Sequence, residues 1–368
     1  MSYEFKNLDE STIDAVGGVL GDRFCPEAAS AVRRLLANPL RSPGDDVGVV
    51  IFKDGEAIGV TASIVRRLYI GREPFIGING GFLAMRRGAP PTLLYALLKK
   101  SHRPRWGSVL FYSNTCSPET AKIKPCLGVG NKGPETWTAV RFARLRRYPS
   151  LRRRVKRALG VNLPARLPFS RPPVSPAELA RSGRQFAFDP KSGMRVVAKP
   201  DFSWVDAFFE RYLRGNDGVV GSRTSAELSW LFGDSVASGK SIVLAAEGPD
   251  GVLGYIVASE CFYDPSRWLV ADAIAIDNRP DVLAALFDAA AGAVVACSDA
   301  ERLGVAGFPP QVAKLVERRF PEVRPSPCNE FAWGFSDDSA AARCAAGMSG
   351  GKGWFFGPYD GDYCICPQ

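Results

Sequence analysis

Two adjacent arginines, Arg86 and Arg87, lie in a short turn between two apolar segments. The segment before the turn, residues 75–85, is rich in Ile, Phe and Gly and is long enough for one buried strand. After the turn, leucines recur at helical spacing from Leu93 to Leu98. The first N–H groups of a helix have no partner within the helix, and the dipole favours an anion there. The sequence therefore predicts a phosphate-binding turn beside the two arginines.

Two polar side chains interrupt predicted apolar strands. Asp272 is flanked by Val270, Ala271, Ala273 and Ile274. A carboxylate in such a strand must be ion-paired, hydrated in a cleft or neutral, and clefts are where shifted pKa values occur. A buried structural ion pair and a catalytic carboxylate are equally good interpretations. Asn79 either points at a ligand or marks a bulge together with Gly80 and Gly81.

The chain has one histidine, His102, at the end of the helix predicted after Leu93. A His-rich metal site is excluded, and a Ser-His-Asp or Cys-His device would depend on this single residue. Near the end of the sequence, Asp360 and Asp362 have i, i+2 spacing on an extended segment and point the same way. These two carboxylates either bind a sugar or an amine, or belong to a solvated turn. Two carboxylates are too few for a metal site, so we predict none.

Composition describes an ordinary soluble globular protein large enough for two domains. Of 368 residues, 46% are hydrophobic and 23% are charged, and no apolar run reaches the length of a membrane span. Nine scattered cysteines are typical of reduced thiols. The polar N-terminus does not resemble a signal peptide. We expect a cytoplasmic protein.

Predicted elements occur twice in the same order: a strand, two helices, an antiparallel meander of three strands, a helix, a strand, a helix and a closing strand. The closing strand of the first half is predicted at 137–142, and last strands of the second half at 330–335 and 353–356. The repeat predicts an α+β protein with two copies of one domain. The expected divisions are an N-terminal domain at 1–145, a basic, Pro-rich linker at 146–193 and a C-terminal domain at 194–368.

Positive charge is concentrated between the two halves. Residues 139–171 hold ten arginines, one lysine and no acidic residue, whereas the whole chain carries only +9. Leu151, Val155 and Leu159 form one helical stripe among them, as in a short basic amphipathic helix. Such a helix either binds an anionic membrane surface or is a solvated connector packed on one domain. Nucleic acid is disfavoured because the arginines lack interleaved stacking platforms.

The element order resembles a tandem arrangement of the GNAT superfamily of acyl-CoA-dependent acyltransferases. The aromatic tail around Asp360 and Asp362 resembles the endings of tandem GNAT-like proteins of bacterial surface-polysaccharide clusters. In that family the turn Arg-Gly-x-Gly-x-Gly (or Ala) holds the coenzyme pyrophosphate. The run 87–92 matches at Arg87 and Gly88, but Pro90 replaces the second glycine and a second proline follows. Each proline removes an N–H donor. The resemblance implies that acyl-CoA is the co-substrate and that it is bound by Arg86, Arg87, Gly88, Ala89 and Thr92.

The second half departs further from this motif. Its turn, residues 277–281, contains Arg279 but no glycine, and Asp281 is predicted as a helix N-cap. In the family, the base is often a carboxylate on a central strand and the acid a tyrosine near the next strand. The resemblance thus implies catalytic roles for Tyr112, Glu260 and Asp272. The expected acceptor-binding residues are Asn79, Asp360 and Asp362.

The resemblance implies an N-acyltransferase, most simply an acetyltransferase, acting on an amine, an amino sugar or a cell-envelope precursor. The two prolines keep a second interpretation open, in which the fold is retained as a non-catalytic binding module with a degenerate coenzyme turn. The basic segment would then add a location at the inner membrane face. Function inferred from fold-level resemblance is analogy.

Overall fold

The structure is a computed structural model. It describes residues 2–23, 28–42, 44–102, 110–116, 118–123, 127, 131–132, 139–145, 174–261, 264, 266–308, 310–325, 330–335 and 354–355. Within these ranges the chain forms seventeen strands and nine α-helices, and the strands make two mixed sheets. The predicted α+β class is confirmed.

The first half follows the predicted order. Between β2 and β3, Asp54 and Gly55 have φ of 51° and 85°, the left-handed conformations that an Asp-Gly hairpin turn requires. The elements are β1 Tyr3–Asn7, α1 Gly17–Arg23, α2 Ala28–Arg34, β2 Gly48–Lys53, β3 Glu56–Ile70, β4 Glu73–Met85, α3 Pro91–Ser101, β5 Leu110–Cys116, α4 Pro118–Ile123, β6 Asn131–Lys132 and β7 Ala139–Arg144.

The second half repeats this order with additions at its start and in the connection between its first two long helices. The elements are α5 Pro176–Arg181, β8 Gln185–Asp189, β9 Met194–Lys199, α6 Val205–Arg214, β10 Val219–Gly221, α7 Ser225–Ala237, β11 Ser241–Gly248, β12 Gly251–Glu260, β13 Arg267–Ala275, α8 Pro280–Cys297, β14 Arg302–Ala306, α9 Ala313–Arg319, β15 Glu322–Pro325, β16 Glu330–Phe335 and β17 Trp354–Phe355.

The two sheets have the same arrangement around a central parallel pair. The first sheet runs β1-β2-β3-β4-β5-β16-β6, with β10 against β3 and β17 against β10. The second runs β15-β7-β14-β13-β12-β11-β9-β8. In the first sheet β4 and β5 are parallel, and in the second β13 and β14 are parallel. A parallel pair needs a crossover, and α3 and α8 provide it.

One strand of the first half, β7, lies in the second sheet, and three strands of the second half, β10, β16 and β17, lie in the first. Strand β7 pairs with β14 and β15 in the second sheet, and β16 pairs with β5 and β6 in the first. The prediction that residues 137–142 close the sheet of their own half is therefore wrong, and so is the corresponding prediction for 330–335. Alternation of side chains identifies a strand but not the sheet in which it pairs.

The predicted linker boundary at residue 193 is also wrong. Helix α5 and strand β8 lie inside the predicted linker, and β8 pairs with β9 at the edge of the second sheet. Ser175 caps α5 and Glu178 closes a capping box with it, which is a defined start signal for a helix. The second unit of the fold thus begins before residue 194.

A single apolar core spans both halves. It joins one face of each sheet with α1, α2, α6 and α7. Trp230 of α7 donates its indole N–H to the backbone oxygen of Arg34, which ends α2, at 2.8 Å. A second core lies between the other face of the second sheet and α8 and α9. Helix α8 is long and apolar enough to cross a membrane, but half of it is buried against this sheet, as in the core helix of a soluble protein.

Candidate active site

The central strands of the first sheet separate after a short paired region. Strands β4 and β5 pair at only three positions, Gly77 with Leu110, Ile78 with Phe111 and Asn79 with Tyr112. Beyond Asn79, β4 continues to Met85, and among the described residues it pairs there only with β3. A cleft therefore opens between β4 and β5 just past Asn79 and Tyr112. We call it the first cleft.

A bulge shapes the β4 wall of the first cleft. Phe82 and Leu83 together lie opposite Thr61 of β3, and Phe82 has a positive φ of 47°. A positive φ is uncommon for a bulky side chain and is strained. Bulges of this kind redirect the strand and occur beside active sites. The bulge predicted at Asn79 to Gly81 lies at the next two residues instead.

Polar side chains lie at the point where the two strands separate. Asn79 and Tyr112 are 0% and 1% exposed. The ring of Tyr112 fits because residue 77 is glycine: a Cβ there would be 3.2 Å from the ring. The next residue, Ser113, donates its hydroxyl to the carbonyl oxygen of Gly80 at 3.0 Å. The floor of the first cleft is therefore polar and closed by a side-chain hydrogen bond.

The basic turn follows β4 directly. Arg86 is exposed and forms an ion pair with Glu56 of the β2–β3 hairpin at 2.7 Å. Arg87 is also exposed, and its side chain has no partner among the described residues. Gly88 has φ of 84° with open space on its side-chain side, so only glycine takes this conformation without strain.

The prolines reduce the number of N–H donors at the turn, as predicted. Pro90 is the N-cap of α3 and Pro91 is its first residue. Two other donors are used within the turn, since the N–H of Ala89 bonds to Arg86 at 3.2 Å and that of Leu93 to Pro90 at 3.0 Å. The N–H groups of Arg87, Gly88 and Thr92 donate to no described backbone carbonyl. These residues fit a phosphate with three backbone donors and one free arginine.

The corresponding place in the second sheet is filled. Strands β13 and β14 pair only as far as Val270, and Asp272 lies just beyond. Its carboxylate accepts two hydrogen bonds of 3.1 Å from the guanidinium of Arg223 and one of 2.5 Å from the hydroxyl of Tyr255. Asp272 and Arg223 are both 0% exposed. The buried ion pair, one of the two sequence interpretations, is what the structure contains.

The turn before α8 is likewise occupied by its own side chains. Arg279 donates to Asp281 at 2.5 and 3.2 Å, and this pairing lowers the pKa of the Asp281 carboxyl. The N-cap of α8 is Arg279 and not Asp281, which lies in the first helical turn. Asp277 lies against Gly215, where a Cβ would be 2.5 Å from its Oδ1. An incoming phosphate would meet two carboxylates here.

The three predicted catalytic residues do not converge. Tyr112 belongs to the first sheet, whereas Glu260 and Asp272 belong to the second. Glu260 lies opposite Trp268 on β13, and Val257, the partner of Asp272, is three residues back along β12, or about 10 Å at about 3.3 Å per residue. Burial raises the pKa of the half-buried Glu260 carboxyl, and the charge of Lys240 opposes this in part. Asp272 is too enclosed to serve as a base for an incoming amine.

Several predicted features fall outside or at the margin of the described residues. Asp360, Asp362 and residues 146–171 lie outside them. At the start of the basic segment, Arg141 pairs with Glu317 at 3.1 Å and Arg144 with Glu322 at 2.9 Å, so these two charges are already balanced. His102 ends α3 as its C-cap. Among the described residues, no three His, Cys, Asp or Glu side chains lie together as metal ligands would.

Solved structures share this arrangement at low sequence identity. Saccharomyces cerevisiae N-myristoyltransferase with bound myristoyl-CoA aligns with a TM-score of 0.52 and 13% identity, over 92% of this chain and 80% of that chain. The chain has the GNAT fold. A GCN5-related N-acetyltransferase from Anabaena variabilis aligns with a TM-score of 0.52 and 11% identity, over 90% of this chain and 72% of that one. One from Kribbella flavida aligns with a TM-score of 0.52 and 12% identity, over 92% and 72%.

The resemblance to the GNAT fold predicted from the element order is thus confirmed, and the alignments include both units. No family model and no curated protein matches the sequence. At these identities the comparisons establish the fold alone. A fold hosts many functions, so the function of this chain depends on the chemistry of its two clefts.

Sequence reasoning missed the residues that fill the second cleft. Arg223 lies in a polar run before α7, and nothing in that run indicates burial. Ser63 on β3 was also missed, although it interrupts an apolar strand as Asn79 does, and it is 3% exposed. A polar residue within an apolar strand is the signal that would have identified Ser63.

Proposed function

We propose that the protein is an acyl-CoA-dependent N-acyltransferase whose coenzyme site is in the first unit. The proposal rests on a difference between the two clefts. The first cleft begins at Gly80, where a side chain would have space, and β4 leads directly from it to an exposed turn with a free arginine, whereas the second cleft is filled by the Arg223–Asp272 ion pair. The solved N-myristoyltransferase and N-acetyltransferases of the same fold support acyl-CoA as the co-substrate.

Residues of the basic turn would hold the coenzyme phosphates. The N–H groups of Arg87, Gly88 and Thr92 supply donors at the positive end of α3, and the guanidinium of Arg87 supplies a charge-assisted contact. Arg86 contributes less because it already pairs with Glu56. With two donors removed by proline, we expect weaker binding of the coenzyme than a complete glycine turn would give.

The reaction needs few groups from the protein. The amine nitrogen attacks the thioester carbonyl carbon, a C–N bond forms and the C–S bond breaks. The nitrogen loses one proton to solvent and the leaving thiolate takes one up, so the products are an amide and a thiol. Tyr112 is the proton donor that we propose. Past Asn79 and Tyr112, the strand residues of the first cleft, 80–85 and 113–116, contain no Asp or Glu. Positioning by hydrogen bonds is therefore the main contribution of these strands.

Acetyl is the acyl group that we propose, and the proposed acceptor is an amine, an amino sugar or a cell-envelope precursor, reached in the cytoplasm. These finer assignments rest on the resemblance described above. A second function is favoured by one observation, the prolines at the N-cap and first position of α3. They fit a non-catalytic binding module that kept the fold while losing much of its coenzyme turn.

A thermal-shift titration separates the two functions. Acetyl-CoA at about 100 times its Kd stabilises a protein that binds it by about 2.7 kcal/mol, so we expect the melting temperature to rise with acetyl-CoA concentration. Free adenosine is the control because it lacks the pyrophosphate and the thioester. No shift at millimolar acetyl-CoA would favour the binding module.

A separate proposal concerns the basic segment at 139–171, which we propose binds an anionic membrane face. Arg141 and Arg144 are used in ion pairs, so the charge must come from the remaining residues. Neutralising Arg152, Arg153 and Arg154 should abolish sedimentation with anionic vesicles, and zwitterionic vesicles are the control. Wild-type protein that never sediments would identify the segment as a connector.

A further inference from the structure

The first β4 residue beyond the paired region, Gly80, has space where a side chain would be. A Cβ built at this position has only the carbonyl oxygen of Tyr112 within 4.0 Å among the described residues. Gly80 is also the first residue of β4 after Asn79 that has no β5 partner among the described residues. The space at Gly80 therefore lies at the start of the first cleft and not inside the packed sheet.

Two serines flank this space. Ser63 is directly opposite Gly80 on β3, and opposite residues in adjacent strands share a face. Ser113 lies on the other side, on β5, and its hydroxyl donates to the carbonyl oxygen of Gly80 at 3.0 Å. Both serines are nearly fully buried, at 3% and 2% exposure. The side walls of the space are polar.

The end of the space is closed by packed side chains. Val65, Ile78 and Phe111 form an apolar cluster, and each is at most 6% exposed. They lie two residues from Ser63, Gly80 and Ser113 on the same three strands, and therefore on the same face. The hydrogen bond from Ser113 also holds β5 against β4 at this level. A long hydrocarbon chain would have to break this bond and displace the cluster.

We propose that Gly80 forms the end of the acyl pocket and that Gly80, Ser63 and Ser113 restrict the acyl group to a short one. This inference rests on the proposed function, because it places the thioester of the coenzyme in the first cleft. The space left by the absence of a side chain at Gly80 accommodates the terminal methyl of the acyl group. The flanking hydroxyls and the closed end exclude a fatty acyl chain.

Calorimetric binding by the full chain tests the pocket without an acceptor. The probes are free coenzyme A, acetyl-CoA and octanoyl-CoA. We expect the wild type to bind coenzyme A and acetyl-CoA with similar Kd and octanoyl-CoA about tenfold or more weakly, as pocket size discriminates in other enzymes. In Gly80→Ala the added methyl occupies the space, so acetyl-CoA should bind about tenfold more weakly while coenzyme A is unchanged.

The control is Gly18→Ala, which adds the same methyl to an exposed position of α1 with no described atom within 4 Å. It should leave all three Kd values unchanged. Ser113→Ala provides a second variant that removes the hydrogen bond to Gly80. We expect this variant to reduce the ratio of the Kd for octanoyl-CoA to the Kd for acetyl-CoA.

Two results would overturn the pocket while leaving the proposed function intact. One is wild-type protein that binds octanoyl-CoA as tightly as acetyl-CoA. The other is that the ratios of the Kd values for the three probes are the same in Gly80→Ala and Ser113→Ala as in the wild type. Wild-type protein that binds none of the three probes would overturn the proposed function, and the pocket with it.

Discussion

Arg223 and Asp272 form a two-point ion pair between the segment that follows β10 and the central strand of the second sheet, with both hydrogen bonds at 3.1 Å. Neither side chain reaches solvent. Strand β10 itself pairs with β3 of the first sheet, and the N–H of Ser222 extends this pairing by donating to Arg67 at 2.8 Å. The ion pair therefore joins a segment of the first sheet to the central strand of the second sheet, and it closes the second cleft in doing so.

Asp272→Ala should destabilise the protein strongly, because it leaves the buried charge of Arg223 without its partner. Removing one member of a buried pair costs about 3–5 kcal/mol, which urea unfolding measures. The control is Asp281→Ala, whose exposed pair with Arg279 should be worth about 1 kcal/mol or less. A stable Asp272→Ala protein that lost acyl transfer would instead assign Asp272 to catalysis.

The elements could be predicted from the sequence because their signals are local. The leucine spacing after Arg87 located α3, and the apolar run at 75–85 located β4. The helix that Ser175 caps was missed, although the residues of its capping box were present in the sequence.

The strand exchange and the filled cleft could not be predicted, because they depend on contacts distant in sequence. Arg223 and Asp272 are 49 residues apart. Side chains alternate between the two faces of β7 and β16 as they do in any strand. Only the assembled sheets show which strands these two pair with. The loss of N–H donors at the two prolines of the basic turn could be predicted, since proline lacks an N–H in any fold.

Residues 1–145 should not fold alone. Without β16, strand β5 exposes a long unpaired edge, and β7 lacks both of its partners, a combination that favours aggregation. We expect this fragment to be insoluble or to unfold without a cooperative transition. Fragments 1–160 and 161–368 produced together should instead co-purify, because each supplies the strand that the other needs.

Gel filtration of the two preparations measures both outcomes. A monomeric 1–145 fragment with a cooperative thermal transition would contradict the exchange of strands. Dividing the chain between residues 160 and 161 interrupts none of the described strands, so each fragment keeps its strands whole.

Glu260→Gln should stabilise the protein at neutral pH. Burial raises the pKa of this carboxyl above its usual range, so the unfolded state loses the proton first as the pH rises. The stability that the carboxyl contributes is present below its unfolded pKa, about 4.3, and is lost as the pH rises through the folded pKa. The variant should therefore gain stability at pH 7 and show little difference at pH 4.

Urea unfolding at the two pH values checks this prediction, with Glu56→Gln at the exposed hairpin as the control. A variant less stable than wild type at pH 7 would show that the charged form of Glu260 is favoured in the folded protein. In that case the carboxylate would have a partner that burial alone does not reveal.

The most direct test of the account is calorimetric titration of acetyl-CoA into wild type, Arg87→Ala and Arg279→Ala. The two variants remove an arginine from the same place in the two units. Within the described part of the chain Arg87 has no carboxylate partner, whereas Arg279 pairs with Asp281. We predict one acetyl-CoA per wild-type chain, binding at least about tenfold weaker in Arg87→Ala, as for the loss of a charge-assisted contact, and unchanged binding in Arg279→Ala. Two molecules per chain, or loss of binding in Arg279→Ala alone, would contradict the placement of the coenzyme in the first cleft.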